Sequence, residues 1–157
     1  MAKDDEPGRL YWSMIRPLWF SLNERWEEGE DAVVEHLEKL PPRVKHLYAA
    51  HWCVSEVCNG GLYQFFGNTT DFLAPEARAA FEAIGLLEWC GILSQGMRFF
   101  GEPYPRDRAR RCAMLPTWRR GERDKSDPFS DLDTRFYEWL HAQPNRWELA
   151  ADRYARS

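Results

Sequence analysis

The sequence predicts an all-α protein, a compact single-domain bundle of about seven to nine helices over residues 1–157, with a flexible N-terminus at 1–9. Apolar residues recur at every third or fourth position from one end of the chain to the other, which is the spacing of helices. The strict alternation of apolar and polar residues that marks half-buried strands is missing. Capping and stopping residues separate successive apolar segments, which favours several helices of moderate length.

The first three helices follow from apolar spacing and from proline and glycine. Residues 10–27 carry apolar side chains at four-residue intervals, and Pro17 is expected to end, kink or restart this helix. A second helix over 30–40 stops at the proline pair 41–42. The second of those prolines suits the first turn of a third helix, which we expect to end at 59–61 because glycine relieves strain at a helix C-terminus.

The next three predicted helices lie between residues 75 and 115. Pro75 opens a helix that Gly85 closes, because proline is tolerated in a first turn and glycine just after a last one. The apolar stripe of the following segment predicts a helix over 86–100. A short basic helix is expected from Arg106 to Leu115.

Two capping boxes are predicted in the C-terminal part, after a long mobile loop over 116–127. Ser130 and Asp133 have the spacing in which two side chains cap a helix start reciprocally. Asn145 and Glu148 repeat this spacing before the last helix. Each box predicts where a helix begins.

Charge and hydropathy limit the function classes. The net charge is -4, but residues 1–40 hold ten acids against five bases, whereas 101–125 hold four acids against eight bases. A nucleic-acid-binding protein normally presents a broad basic face, so direct nucleic-acid binding is disfavoured. No apolar run approaches the length of a membrane span and no apolar signal segment opens the chain, so we expect a cytoplasmic protein without a membrane partner.

The cysteines and histidines do not predict a metal or cofactor site. Cys53 and Cys58 are separated by four residues, and no second pair has zinc-finger spacing. His51 could share a helix face with Cys58, but no carboxylate or second histidine completes a ligand set. Nucleophile elbows, phosphate loops and dinucleotide fingerprints are absent, so we assign no catalytic residue, no metal and no cofactor.

Residues 59–70, here called the amide–aromatic segment, form the most unusual part of the chain. Amide side chains at Asn59, Gln64 and Asn68 are set among aromatic residues. One interpretation is a structural network, because each amide offers donors and an acceptor. A second is a polar pocket for a ligand or peptide. The plainest is that Phe65 and Phe66 are core residues and the segment is a loop joining two helices.

The acidic stripe is the second candidate surface. Its members follow at steps of four and three, and on a continuous helix they would share one face: Glu24, Glu28, Asp31, Glu35 and Glu38. Gly29 is a point where that continuity could break. The stripe is either a solvated outer face or an anionic surface that competes with nucleic-acid phosphates for a basic partner.

A basic block follows in the C-terminal half. Its members are Arg106, Arg108, Arg110, Arg111, Arg119, Arg120, Arg123 and Lys125. The block could bind a phosphate or an acidic partner, or it could be a solvated helix and loop.

The chain resembles a bacterial domain-of-unknown-function family that includes a DNA-mimic protein. The resemblance spans about residues 45–142, and its characteristic string is Asn59, Gly60, Gly61, Gln64, Phe65, Phe66 and Asn68, preceded by Glu56. It implies an all-helical domain without known catalytic activity. For the best-described member it implies a dimer that binds a DNA-binding protein through an acidic surface, so a homodimer is expected here.

Taken together, these patterns favour a non-enzymatic interaction module that binds a protein with a basic surface. That partner would be a DNA-binding regulator, or a toxin that the protein neutralises. The alternative from another class is a small enzyme or ligand-binding protein with its pocket at Asn59, Gln64 and Asn68, joined by His51.

Overall fold

In a computed structural model that describes residues 6–118 and 126–157, the chain is all-α, as predicted. The side chains of Asn23 and Glu24 are also outside the description. The described residues form eight α-helices and one 3₁₀ helix and contain no strand: α1 Arg9–Glu28, α2 Glu30–Glu38, α3 Pro42–Gly67, the 3₁₀ helix Thr70–Leu73, α4 Ala74–Ile84, α5 Leu87–Arg98, α6 Arg108–Met114, α7 Ser130–His141 and α8 Arg146–Arg156.

Helix α1 runs through Pro17 without ending there. Proline removes one backbone hydrogen bond, and the carbonyl that loses its donor belongs to Ser13. Both residues are exposed, so water can take the place of the missing donor. On the opposite face, Ile15 and Leu22 are buried in the core and hold the helix together across the proline.

Helix α3 continues past the point where it was expected to end. Its backbone leaves the helical conformation at Gly60 and Gly61 and then resumes, so residues 62–67 are helical. The prediction of a loop over all of 59–70 is therefore wrong. The glycine pair interrupts a helix, because the chain beyond it packs phenylalanines into the core.

Both predicted capping boxes are wrong, although helices begin at those places. Helix α7 begins after Phe129, and the Asp127 side chain accepts the Phe129 backbone N–H at 2.9 Å. Asn145 precedes α8 in a left-handed conformation and makes no capping hydrogen bond. Asp133 is engaged by another helix, as described below. Most of the predicted 116–127 loop, residues 119–125, lies outside the described residues, as do residues 1–5 of the predicted flexible N-terminus.

One continuous apolar core joins the helices. Trp89 of α5 stacks on Phe136 of α7, with ring centroids 4.5 Å apart. The two ends of the chain also meet, because the Asp152 carboxylate on α8 accepts the backbone N–H groups of Gly8 at 2.8 Å and Tyr11 at 2.9 Å. These bonds fix the start of α1 against the last helix. None of the described helices is long and apolar enough to cross a membrane.

Candidate functional site

The break in α3 is held open by a carboxylate from another helix. Gly61 has φ +77°, and a Cβ at this position would lie 2.4 Å from Asp133 Oδ2. The other oxygen of Asp133 accepts the backbone N–H of Leu62 at 2.7 Å. The first turn after the break therefore has a charged acceptor for a backbone donor that the helix itself cannot satisfy.

The amides of the amide–aromatic segment converge on Glu56. Gln64 Nε2 donates to Glu56 Oε2 at 3.0 Å, and Asn68 Nδ2 donates to the same oxygen at 2.6 Å. Gly60 makes room for this arrangement, because a Cβ there would lie 2.0 Å from Gln64 Oε1. Asn59 is exposed and does not join the cluster. Two of the three predicted amides thus position a carboxylate across the helix break.

Phe65 and Phe66 are fully buried core residues. The Phe66 ring lies 5.0 Å from the rings of both Phe100 and Phe129. Gly96 of α5 permits this packing, since a Cβ there would lie 2.8 Å from the Phe66 ring. The plainest interpretation of the two phenylalanines is therefore correct.

His51 contacts aromatic rings of α1 and not the amides. Its Nδ1 lies 3.4 Å from the Tyr11 hydroxyl, and its ring lies 5.1 Å from that of Trp12. Burial lowers the pKa of His51 to about 4. The structure does not join His51 to Gln64 and Asn68 in one polar pocket.

A cleft between α1 and α3, which we call the aromatic cleft, was not predicted from the sequence. It has a volume of about 310 Å³ and is lined by Trp19, Trp26, Tyr48, Trp52, Glu56, Thr69 and Thr70. The rings of Trp19 and Trp52 stack with centroids 4.9 Å apart. The carboxylate that the two amides hold is thus also part of the wall of this cleft.

A signal for the cleft was present in the sequence. Tyr48, Trp52 and Glu56 follow one another at intervals of four, so they lie on one face of α3. Trp19 and Trp26 are seven residues apart and share a face of α1. What the spacing could not show is that these two faces pack against each other.

The acidic stripe is divided between two helices. Gly29, with φ +105°, separates α1 from α2, so the stripe does not lie on one continuous helix. Even so, Glu28 of α1 and Glu35 of α2 line the same depression, together with the cations Arg25 and Lys39. Glu28 pairs with Arg25 at 2.8 Å, and Glu35 pairs with Lys39 at 2.8 Å.

Of the other three stripe residues, the structure describes the side chains of two. Glu38 pairs with Lys45 at 3.0 Å, and Asp31 is exposed without an ion pair to a described residue. The side chain of Glu24 lies outside the description. Four carboxylates of the stripe are therefore placed at the surface of the α1–α2 corner.

Much of the described basic block stabilises the fold. Arg111 is fully buried and forms an ion pair with the equally buried Asp71. Burial raises the pKa of Asp71 above its usual range, and the Arg111 charge opposes this shift. Arg106 makes two hydrogen bonds to Glu76, at 2.7 and 2.9 Å.

The other members of the basic block fall into two groups. Arg108 and Arg110 are exposed. The remaining members lie outside the described residues: Arg119, Arg120, Arg123 and Lys125. One of the two interpretations of the block, a solvated helix and loop, therefore does not hold for Arg111, because Asp71 binds it inside the core.

No described group of three or more histidine, cysteine, aspartate or glutamate residues has the geometry to hold a metal ion.

The fold and the site define an all-α protein whose central helix, α3, is broken at two glycines and braced by carboxylates. The chain belongs to the family of DMP19-like proteins, whose family model matches residues 38–157. This match extends beyond the 45–142 resemblance at both ends. Searches of curated proteins and of solved structures found no match.

Proposed function

We propose that this protein is a non-enzymatic interaction module that binds the basic surface of a DNA-binding protein, in the manner of a DNA mimic. Membership in the DMP19-like family supports this class of function. We further propose that it acts in the cytoplasm and as a homodimer. The observation that carries the proposal is the joining of Glu28 and Glu35 in one depression across the α1–α2 break.

The ion pairs of the acidic stripe leave its carboxylates available to a partner. Glu28 and Arg25 are 51% and 46% exposed, and Glu35 and Lys39 are 73% and 69% exposed. Exposed pairs of this kind contribute about 0–1 kcal/mol, so a basic partner can displace the intramolecular cation at little cost. Charge complementarity would mainly accelerate the encounter and make it salt-dependent.

The family match and the stripe support different parts of the proposal. The match begins at residue 38, so Glu38 is the single stripe residue inside it. Family membership therefore supports binding to a basic protein, whereas the position of the binding surface rests on the structure of α1 and α2. A non-enzymatic role agrees with the site, because amides are not general bases at neutral pH and Gln64 and Asn68 are committed to Glu56.

The test is a charge-removal variant with a matched control. The stripe variant replaces Glu28, Asp31 and Glu35 by uncharged amides, and the control replaces Glu82, Glu102 and Glu138, which are exposed elsewhere. Both variants change the net charge equally. The native partner is recovered from the host at low and high salt, identified by mass spectrometry, and purified for affinity measurement.

We expect the stripe variant to weaken partner binding by about tenfold or more at low salt, and the control to change it little. Duplex DNA that binds the partner should compete with the wild-type protein. Equal losses in the two variants would reject the stripe as the binding surface. Failure of DNA to compete would reject mimicry.

A further inference from the structure

The aromatic cleft has the composition of a site for an organic cation. Three indole rings and one phenol line it, from Trp19, Trp26, Trp52 and Tyr48. The faces of aromatic rings carry the negative part of the quadrupole and attract cations within about 6 Å, so the faces available here are those that the Trp19–Trp52 stack does not cover. A volume of about 310 Å³ is at the lower end of the range for small-molecule sites.

Glu56 supplies a full negative charge in the wall of this cleft. Both amide donors, from Gln64 and Asn68, bond the same carboxylate oxygen, Oε2. No described donor reaches Oε1, and no described basic side chain forms an ion pair with Glu56. The two amides hold the carboxylate in place without neutralising it, so one oxygen remains for a cationic donor.

A second polar group in the cleft also lacks a partner. Thr70 is 6% exposed, and its hydroxyl Oγ1 makes no hydrogen bond with any described residue. Buried hydroxyls usually have a partner, because an unsatisfied one costs free energy. The Thr70 hydroxyl oxygen and Trp52 Nε1 are both shielded from solvent, so the acceptor that a ligand with N–H donors would meet from within the cleft is Glu56 Oε1.

We propose that the aromatic cleft binds a guanidinium or alkylammonium group, and that in the complex this group belongs to an arginine or lysine of the basic partner. That the cation belongs to a partner protein rests on the proposed function, whereas the binding of a cation in the cleft does not. A guanidinium fits best, because its flat face stacks on indole and its N–H groups form a fork toward a carboxylate. An apolar ligand would leave the Glu56 charge unpaired, and an anion would be repelled by it.

The test uses small probes and two cleft variants. Blocked arginine (N-acetyl-arginine methylamide), blocked lysine, blocked citrulline and tetramethylammonium are titrated into the full chain. Binding is followed by the NMR signals of the tryptophan indole N–H groups. Trp19→Leu removes one wall, and Glu56→Gln removes the charge while keeping an acceptor for Gln64 and Asn68. Phe20→Leu is the matched control, because Phe20 adjoins Trp19 on α1, is 73% exposed and does not line the cleft.

We expect blocked arginine to bind and blocked citrulline, its uncharged isostere, to bind at least about tenfold more weakly. Trp19→Leu and Glu56→Gln should each weaken the binding of blocked arginine by about tenfold, whereas Phe20→Leu should leave this affinity unchanged. Equal binding of arginine and citrulline would overturn the proposal, as would an absence of shifts in the indole signals. Tighter binding of tetramethylammonium than of both blocked cations would overturn the assignment to a protein side chain. If the Trp19→Leu variant does not fold, the affinity of the Glu56→Gln variant for blocked arginine decides the test.

Two further comparisons separate this proposal from the proposed function. The stripe variant should lose the partner but keep its affinity for blocked arginine, because the stripe does not line the cleft. If blocked arginine binds but no salt-dependent basic partner exists, the proposed function fails and the cleft chemistry stands. If the partner binds but blocked arginine does not, the cleft proposal alone fails.

Discussion

The Asp133 carboxylate on α7 accepts the backbone N–H of Leu62 at 2.7 Å, where α3 resumes after its break. In an ordinary helix start, a side chain immediately before the helix performs this role. Here the acceptor comes from 71 residues further along the chain. The bond thus ties α3 to α7 and also satisfies a donor at the start of a helical turn. A hydrogen bond to a charged group contributes about 1.5–3 kcal/mol.

Gly61→Ala is expected to lower the free energy of unfolding by about 2 kcal/mol or more. Gly61 has φ +77° and ψ 179°, a conformation that costs an L-residue about 1–3 kcal/mol. The added Cβ would also displace Asp133, which it would approach to 2.4 Å. Urea denaturation followed by circular dichroism measures the effect.

Gly91→Ala is the control for this substitution. Gly91 lies inside α5, and a Cβ there meets nothing within 4 Å. Alanine should stabilise the protein by about 0.5–1 kcal/mol, because glycine is less favourable in a helix interior. If Gly61→Ala and Gly91→Ala changed the free energy of unfolding equally, the explanation given for the break in α3 would be wrong.

Glu56→Ala is expected to cost about 2–3 kcal/mol, because it removes a charged acceptor shared by two amides. Glu56→Gln should cost less than half as much, since its carbonyl oxygen can still accept from Gln64 and Asn68. The comparison is made by thermal and urea unfolding. Were the two variants equally destabilised, the charge itself and not the acceptor would be the stabilising element.

His51 is expected to make stability fall as the pH drops from about 6.5 to about 4. The pKa of His51 is about 4 in the folded protein, against 6.5 for an unperturbed histidine, because burial disfavours the charged ring. The unfolded chain binds a proton in this range while the folded chain does not. The stabilisation, on the order of 3 kcal/mol, is therefore complete above pH 6.5 and is lost on acidification.

The check is the unfolding free energy measured between pH 7 and pH 4 for the wild type and for His51→Gln. The difference between the two curves should shrink or change sign toward acid, because the variant has no ring to protonate. Parallel curves would show that His51 does not titrate as its burial requires.

Arg111→Met is expected to destabilise the protein by about 3–5 kcal/mol, because it leaves the Asp71 carboxylate buried without its cation. Combining it with Asp71→Asn removes the second charge and should recover much of the loss. A double-mutant cycle by urea unfolding measures the coupling between the two residues. Additive losses would mean that Arg111 stabilises the fold through its other contacts, including the Pro105 carbonyl at 2.8 Å.

The sequence was sufficient for features that depend on neighbours along the chain. Apolar spacing predicted the helices, and one of the three interpretations of the amide–aromatic segment placed Phe65 and Phe66 in the core, where they lie. It was insufficient wherever a distant residue decides the outcome. Whether Gly60 and Gly61 end a helix or interrupt it depends on Asp133, which the spacing assigned to a capping box.

The candidate site could not be predicted from the sequence for the same reason. Trp19 and Trp52 belong to different helices, so their stacking depends on how α1 packs against α3. The burial of Arg111 similarly depends on Asp71, 40 residues earlier in the chain. Glu56 was recognised in the sequence as part of a motif. Its role as the shared acceptor follows only from the positions of the Gln64 and Asn68 side chains.

The start of the family match at residue 38 divides the aromatic cleft between two portions of the chain. Tyr48, Trp52 and Glu56 come from the matched portion, together with the amides that brace the carboxylate, whereas Trp19 and Trp26 come from the helix before it. Substitutions in α1 can therefore alter the wall that Trp19 and Trp26 form while Glu56 and the two amides that hold it stay in place.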